Sequence, residues 1–527
     1  MDLTDPAVAA PRAQRISRLL DRPLPARQCV LAWVVATIVF IGMVVLLGGP
    51  TTNDAQESIY STWAVQHGDF SCAYPPALSQ HVKIYPNYVP GPYTPPLWPL
   101  ISGGLAAATG MGKALPFPTQ SELGPGCSHA YAAMYHWAHP TRVLFSTIGF
   151  GYLGWFALLA GAVALLRAAG RGRSGWEAAG VVLIAFLPPG WDALMNEYHP
   201  QDLLALGLVL GALACALRRS WLWSGILLGL AVASQQFALL ALAPLLIVAP
   251  GRARWRVAAG ALGAWIVVAL PFLTASRRAF NAVTIGTGNF PSYGGTWVRF
   301  FHLNGAPLVL VSRILPIVVA MGLAWWLLRR MGSRVLEPVP LMSLMTVSLS
   351  LRLVFEQNMF GYYFIAMAVL LVLLEVIDGR LRGELLAWVA MILLAYNAIP
   401  FGLSYNAVSW GERAWIVLPE IAMAIVLALI IWDAMRRRCR WYLVAWLVVA
   451  VCAFGRWPPW TQTWPGWSNA FRPLFHHWTW QLILLPTGIA LAVWPLVSYI
   501  RRQTSDITYA HAPSVHESRS ESVPAKS

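Results

Sequence analysis

The chain is 527 residues long, 57% hydrophobic and only 11% charged, with a mean hydropathy of +0.57. A soluble domain carries roughly a quarter charged residues, so this composition excludes a soluble enzyme and makes lipid the solvent for most of the chain. The net charge of +15 does not point to nucleic acid, because the arginines sit in small clusters between apolar runs, the pattern of loops kept on the cytoplasmic side of a membrane.

Residues 1–28 form a basic lead (Arg12, Arg15, Arg18, Arg22, Arg27) into a full-length span, without a small-residue cleavage site, and read as a cytoplasmic segment rather than a cleaved signal. A span needs roughly 20 apolar residues. The apolar runs predict twelve spans, near 29–49, 141–166, 176–193, 202–217, 256–274, 306–328, 339–356, 359–377, 384–403, 414–433, 441–455 and 479–500. The fold class is therefore all-α, one polytopic helix bundle over 29–500 with a long first exterior loop at 50–140. Basic clusters at Arg167/Arg171/Arg173, Arg218/Arg219, Arg252/Arg254/Arg256, Arg329/Arg330/Arg334, Arg380/Arg382, Arg436/Arg437/Arg438/Arg440 and Arg501/Arg502 then share one side, and both termini are expected in the cytoplasm. Residues 95–111 are short and rich in Gly and Pro, and read as a re-entrant or interfacial helix. Residues 221–250 carry arginines at both ends and Gln235-Gln236 in the middle. Two ends on one side imply a helical hairpin with a polar tip at membrane depth; the other reading is one tilted helix. The polar segment 501–527 reads as a disordered cytoplasmic tail.

Polarity collects in the exterior segments. Asp54 follows the first span by a few residues, with Glu57 one helical turn on. A carboxylate at the membrane boundary is partly desolvated, which suits a general base acting on a hydroxyl; the alternative is a helix cap. Cys72 and Cys127 share the first exterior loop, where a disulfide can persist, and a bridge between them is one expectation, two separate thiols the other. The same loop carries Tyr93 and Trp98 as candidates for sugar or acceptor binding, and the short segment near 193–202 adds Glu197 and His199, which an ordinary interhelical turn would also explain.

Exterior cations are scarce. Arg277, Arg278 and Arg299 flank a Gly-rich stretch from Gly286 to Gly295, where forked donors and accessible amides suit a phosphate; lipid headgroups are the alternative partner. Arg352 lies inside a predicted span with Glu356 one turn later, so it is either neutralised locally or turned into a cavity toward a lipid phosphate. The Trp-rich stretch from Trp457 to Trp480 reads as an interfacial belt, aromatic faces also being able to stack on sugars. No residue spacing suggests a metal site or a nucleotide cofactor, so no cofactor is expected.

Three features in order carry a resemblance: the acidic opening of the first exterior loop (Asn53, Asp54, Glu57), Tyr74-Pro75-Pro76 and Tyr93-Thr94-Pro95-Pro96 before a short apolar helix, and the Gly-rich run from Ser224 to Gln236. Over roughly 29–365 the chain resembles the GT-C superfamily of membrane glycosyltransferases, most of all the bacterial polyprenyl-phosphate-mannose-dependent α-mannosyltransferases of glycosyltransferase family 87. The resemblance implies an enzyme of the bacterial plasma membrane with its active site facing the exterior. It implies a polyprenyl-phosphate sugar as donor (mannose or another hexose or pentose), a lipid or cell-envelope glycan as acceptor, and transfer with inversion. The superfamily's catalytic carboxylate falls on Asp54, with Arg277, Arg278, Arg299 and Arg352 as candidates for the departing phosphate. Gln235-Gln236 stand where many relatives have Lys. A secondary transporter or lipid flippase is the rival reading, although no matching inverted repeat is visible; a non-catalytic envelope-assembly subunit is a third.

Overall fold

A computed structural model describes residues 19–47, 53–74, 95–109, 147–185, 187–195, 198–284, 305–356 and 361–379, together with 493, 496, 497, 499 and 500. Among these the chain is helical, with one isolated bridge, Pro23 to Ser174. The helices are α1 (Ala26–Leu47), α2 (Asn53–Gln66), α3 (Leu97–Thr109), α4 (Tyr152–Ala168, entered by a π turn at Thr147–Gly151), α5 (Gly175–Ala185), α6 (Pro188–Met195) and α7 (Pro200–Leu217). They continue as α8 (Trp221–Ser234), α9 (Leu239–Val248), α10 (Ala253–Ala275), α11 (Arg277–Thr284), α12 (Gly305–Val309), α13 (Leu315–Met331), α14 (Pro338–Phe355) and α15 (Ile365–Asp378).

Among the described residues, five stretches are long and apolar enough to cross a bilayer: Gly149–Ala168, Pro200–Leu217, Ala253–Ala275, Pro307–Leu336 and Pro338–Phe355. The predicted span 176–193 is not one helix. Pro188 and Pro189 cannot extend α5, whose last turn closes with Leu187 N–H on the Ile184 carbonyl, so the run divides into α5 and α6. The expected spans at 384–403, 414–433 and 441–455, and nearly all of 479–500, lie outside the described residues.

Lipid offers no hydrophobic drive between helices, so close approach depends on small residues. A Cβ on Gly154 would meet the Pro200 carbonyl, and one on Gly161 would meet that of Gly207, which fixes α4 and α7 side by side and parallel. Ser224 Oγ donates to the Ala212 carbonyl and Ser234 Oγ to the Gln201 carbonyl, each at 2.8 Å, so α8 runs antiparallel to α7. Gly225 and Gly229, four residues apart, lie against Val257 and Ala261, and Gly260 lies against Leu222. This register makes α8 and α10 parallel and level, so α9 must carry the chain back to the end where α8 began. The turning point is Gln235, which leaves helical geometry (φ −157°, ψ 132°) before a short 3-10 turn, Gln236–Ala238. At 14 residues α8 is about 21 Å long, short of a hydrocarbon core of about 30 Å, so the reversal lies at membrane depth.

Helix ends collect at one basic pole. Glu177, buried, takes two bonds from Arg167 (3.0 and 2.8 Å) and one from the Arg173 amide. Arg171 donates to Asp21 and to the Ile377 carbonyl, and Arg254 donates to the Ala249 and Ile247 carbonyls, satisfying groups that helix C-termini leave open. α15 is buried on nearly every side and forms the centre of the bundle. Trp255, Leu262 and Val267 on α10 and Val318 and Trp325 on α13 stay exposed, as lipid-facing side chains do.

The glycine contacts give a direct test. Gly229→Leu would drive a side chain into the Ala261 backbone and is expected to cost at least about 1–3 kcal/mol, lowering the thermal unfolding midpoint in detergent. Gly263→Leu, which meets nothing within 4 Å, is expected to leave the midpoint unchanged.

Candidate active site

Two groups of residues lie away from the basic pole, one at the opposite end of the bundle and one at membrane depth around the hairpin tip. The first is built on α2. Asp54 is its second residue and Glu57 its fifth, one turn before Ser58 and Ser61 respectively. From Ser58 to Val65 the helix is buried on most sides, although half of these residues are polar or small. The explanation is a polar seam with α3. Trp98 Nε1 donates to Ser58 Oγ (3.0 Å), Thr62 Oγ1 and Ser102 Oγ form a hydroxyl pair at 2.7 Å, and Thr62 Oγ1 also bonds the Ser58 carbonyl. Gly103 allows the approach, since a Cβ there would stand 2.8 Å from Val65 Cγ1 and 2.9 Å from the Thr62 carbonyl oxygen.

The other side of α2 packs with α10 and α11. Tyr60, Trp63, Ala64, Cys72 and Tyr74 form one core with Ala269, Phe272, Ala279 and Val283. Phe70 and Tyr74 set their rings edge-on to Phe272 at 5.3 and 5.7 Å. Burial, with the Asp69 charge added, pushes the Tyr60 hydroxyl well above the ordinary tyrosine pKa, and burial alone does so for Tyr74. Both phenols therefore stay neutral and serve packing. Asp69 Oδ1 accepts from Ser71 Oγ (2.7 Å) and the Cys72 amide (3.2 Å) to close the turn after α2, and Cys72 is disulfide-bonded. Its expected partner, Cys127, lies outside the described residues, as do Tyr93, Glu197 and Arg299.

The structure thus brings the helix of Asp54 and Glu57 together with Trp98 and with the helix of Arg277 and Arg278. Trp98 is fully buried and its indole N–H is committed to Ser58, so it fixes α2 rather than presenting a face to a sugar. Arg277 is exposed at the start of α11, where Ser276 Oγ caps the Ala279 amide.

The second group lies where α7 begins, α8 reverses and α14 ends. His199 makes no cap bond to α7. Its Nδ1 meets Gln201 Nε2 at 2.8 Å, and its ring stacks on Tyr362 with centroids 4.5 Å apart. The guanidinium of Arg352 lies 3.8 Å from the Tyr363 ring centroid and 5.0 Å from that of Phe237. Its Nε is 3.5 Å from Glu356 Oε2, which Arg313 Nη1 also approaches at 3.4 Å. Asp202, fully buried, faces Arg352, His199 and Gln235; the Gln235 side chain is near enough to interact with it, but no donor meets ordinary hydrogen-bond geometry at either carboxylate oxygen. Asp202, Tyr362, Tyr363 and Arg313 were not among the sequence candidates. Asp202 carried a readable signal, being the acidic residue in the first turn of an otherwise apolar span.

The two groups touch through α3. Leu97, Trp98 and Ala106 share a core with Leu204 on α7, Ala233 on α8 and Val268 on α10, so α3 rests within one turn of Asp202 and of the hairpin tip. The seam that holds α2 there is open to a double-mutant cycle. Ser58→Ala and Trp98→Phe are expected to show a coupling of about 0.5–1.5 kcal/mol in thermal or denaturant unfolding, whereas additive effects would mean that the bond contributes nothing.

No curated protein matches the chain. The model of glycosyltransferase family 87 matches residues 129–354, a segment that runs from before α4 to the end of α14. The match includes the reversed hairpin and the Asp202–Arg352 group and begins after Asp54. It favours an enzyme over a transporter: over residues 129–354 the chain is similar to glycosyltransferase family 87, which supports a glycosyltransferase.

Proposed function

We propose that the protein transfers a sugar from a polyprenyl-phosphate donor to a lipid or cell-envelope glycan acceptor, at the exterior face of a bacterial plasma membrane. The observation that carries this reading is the burial of α2 in a rigid seat at the pole opposite the arginine clusters, with Asp54 and Glu57 in its first turns. Arginine clusters mark the cytoplasmic side, so the carboxylates belong to the other side. A donor with a membrane-embedded lipid tail suits a site built at the rim of a helix bundle.

In the proposed reaction Asp54 removes the proton from an acceptor hydroxyl. The oxygen attacks the anomeric carbon as the bond to the phosphate oxygen breaks, polyprenyl phosphate departs, and the configuration inverts. Cations near the leaving phosphate stabilise the charge that develops on it. Arg277 and Arg278 on α11, in the same core as α2, are the best-supported candidates, and Arg299 follows them in the same loop. Arg352 already faces Glu356 and Asp202, so its positive charge is balanced within the bundle.

Membranes holding equal amounts of wild type or Asp54→Asn protein, given labelled polyprenyl-phosphate sugars and native lipid extract, test the assignment. Loss of a general base is expected to lower transfer about 10²–10⁴-fold while the protein stays folded. Equal transfer by both would move the base elsewhere, with Glu57→Gln as the next variant.

A further inference from the structure

The catalytic reading leaves the buried group at the hairpin tip without a task. Asp202 is 0% exposed and Gln201 1% exposed. No donor meets ordinary hydrogen-bond geometry at either oxygen of the carboxylate, although the Gln235 side chain lies beside it. Buried acceptors left in this way are costly, since a buried polar atom without a well-placed partner forfeits its hydration. The apolar solution was available at both positions, on a helix otherwise made of Leu, Ala, Val and Gly.

The surroundings define what would fill them. Arg352 supplies the countercharge to Asp202 and is itself held between the rings of Phe237 and Tyr363. The side-chain amide of Gln201 meets His199 Nδ1 at 2.8 Å while its main-chain carbonyl accepts from Ser234 Oγ, so residue and side chain are both held at the hairpin tip. Gln235 stands at the break in the backbone and is only partly buried, which puts the group next to an edge of the protein rather than at its centre. A charge-balanced set of acceptors beside aromatic rings does not suit an anion. It suits a neutral ligand that brings several O–H donors, and α3 connects the spot to the helix of Asp54.

We propose that Asp202, Gln201 and Gln235 form a subsite for the hydroxyls of a sugar ring, separate from the groups that hold the phosphate. The inference rests on the glycosyltransferase reading above and assigns that site its sugar-recognising residues. The same chemistry would hold the sugar of the donor or a sugar of the acceptor.

Binding measurements on the purified full chain in nanodiscs separate these cases. The probes are short-chain prenyl phosphates carrying mannose, glucose or arabinose, the bare prenyl phosphate, and octyl glycosides of the same sugars. Wild type is expected to bind at least one sugar-bearing probe more tightly than its sugarless counterpart. Asp202→Asn is expected to remove about 10- to 100-fold of that preference, as the loss of a hydrogen bond to a charged group does, and to leave bare prenyl phosphate unchanged. An effect confined to the prenyl-phosphate sugars assigns the subsite to the donor; one confined to the glycosides assigns it to the acceptor. Asp202→Leu, with the thermal midpoint checked, repeats the test without a polar replacement. Unchanged sugar preference in both variants, an equal loss for bare prenyl phosphate, or no sugar preference in wild type would overturn the proposal. Asp54→Asn in parallel keeps the two readings apart. It is expected to bind like wild type, and Asp202-dependent sugar binding without any transfer would sink the catalytic assignment alone.

Discussion

Ser234 Oγ reaches the Gln201 carbonyl at 2.8 Å, and this bond holds the tip of a reversed hairpin against the start of α7. A backbone that leaves helical geometry inside a bilayer exposes polar groups that lipid cannot satisfy, so it survives only where protein surrounds it. Here the break at Gln235 is closed by its own neighbours, with the Gln235 amide on the Ala231 carbonyl and the Ala238 amide on the Gln235 carbonyl. Because α8 turns back at this point, α10 begins again at the basic pole and delivers Phe272 and α11 to the far one. The seat of α2 therefore depends on a reversal at Gln235, which precedes Phe272 but lies far beyond α2 in the chain.

Contacts without side chains make the reversal rigid. Gly225, Gly229 and Gly260 bring the α8 and α10 backbones together, and Gly154, Gly161 and Gly207 do the same for α4 and α7. The hairpin arms are thus fixed on one side by α7 and on the other by α10, and α3 fills the space above them with Leu97, Trp98 and Ala106. The charged groups collect at the basic pole and around the hairpin tip. At the basic pole Arg167 is paired with Glu177, and Arg171 and Arg254 donate to helix carbonyls. Near the hairpin tip the Asp202 carboxylate is buried without a donor in ordinary hydrogen-bond geometry.

Much of this was legible in the sequence because lipid imposes simple rules. Apolar length located α1, α7, α10 and α14 to within a few residues and the C-terminal ends of α4 and α13 likewise, and arginines at both ends of 221–250 with Gln235-Gln236 between them located the break. The short helix at 97–109 followed from its Gly and Pro content. The division of 176–193 was missed because hydropathy averages over a proline pair that hydrogen bonding cannot ignore. The roles of Trp98, Asp202 and Tyr362 were hidden for another reason. Each depends on a partner far along the chain: Ser58 for Trp98, Arg352 for Asp202 and His199 for Tyr362. Periodicity along one strand of sequence cannot show which helices meet. Glu356 beside Arg352 was readable as an i,i+4 pair, whereas Arg313 closing on the same carboxylate was not.

Sidedness is the central claim, since the first turns of α2, which carry Asp54 and Glu57, lie away from the basic pole. Sealed membrane vesicles of known orientation, given a short-chain donor and an acceptor from the outside only, test it directly. Transfer in right-side-out vesicles and none in inverted ones is the predicted result. Transfer confined to inverted vesicles would put the chemistry at the basic pole and contradict the account.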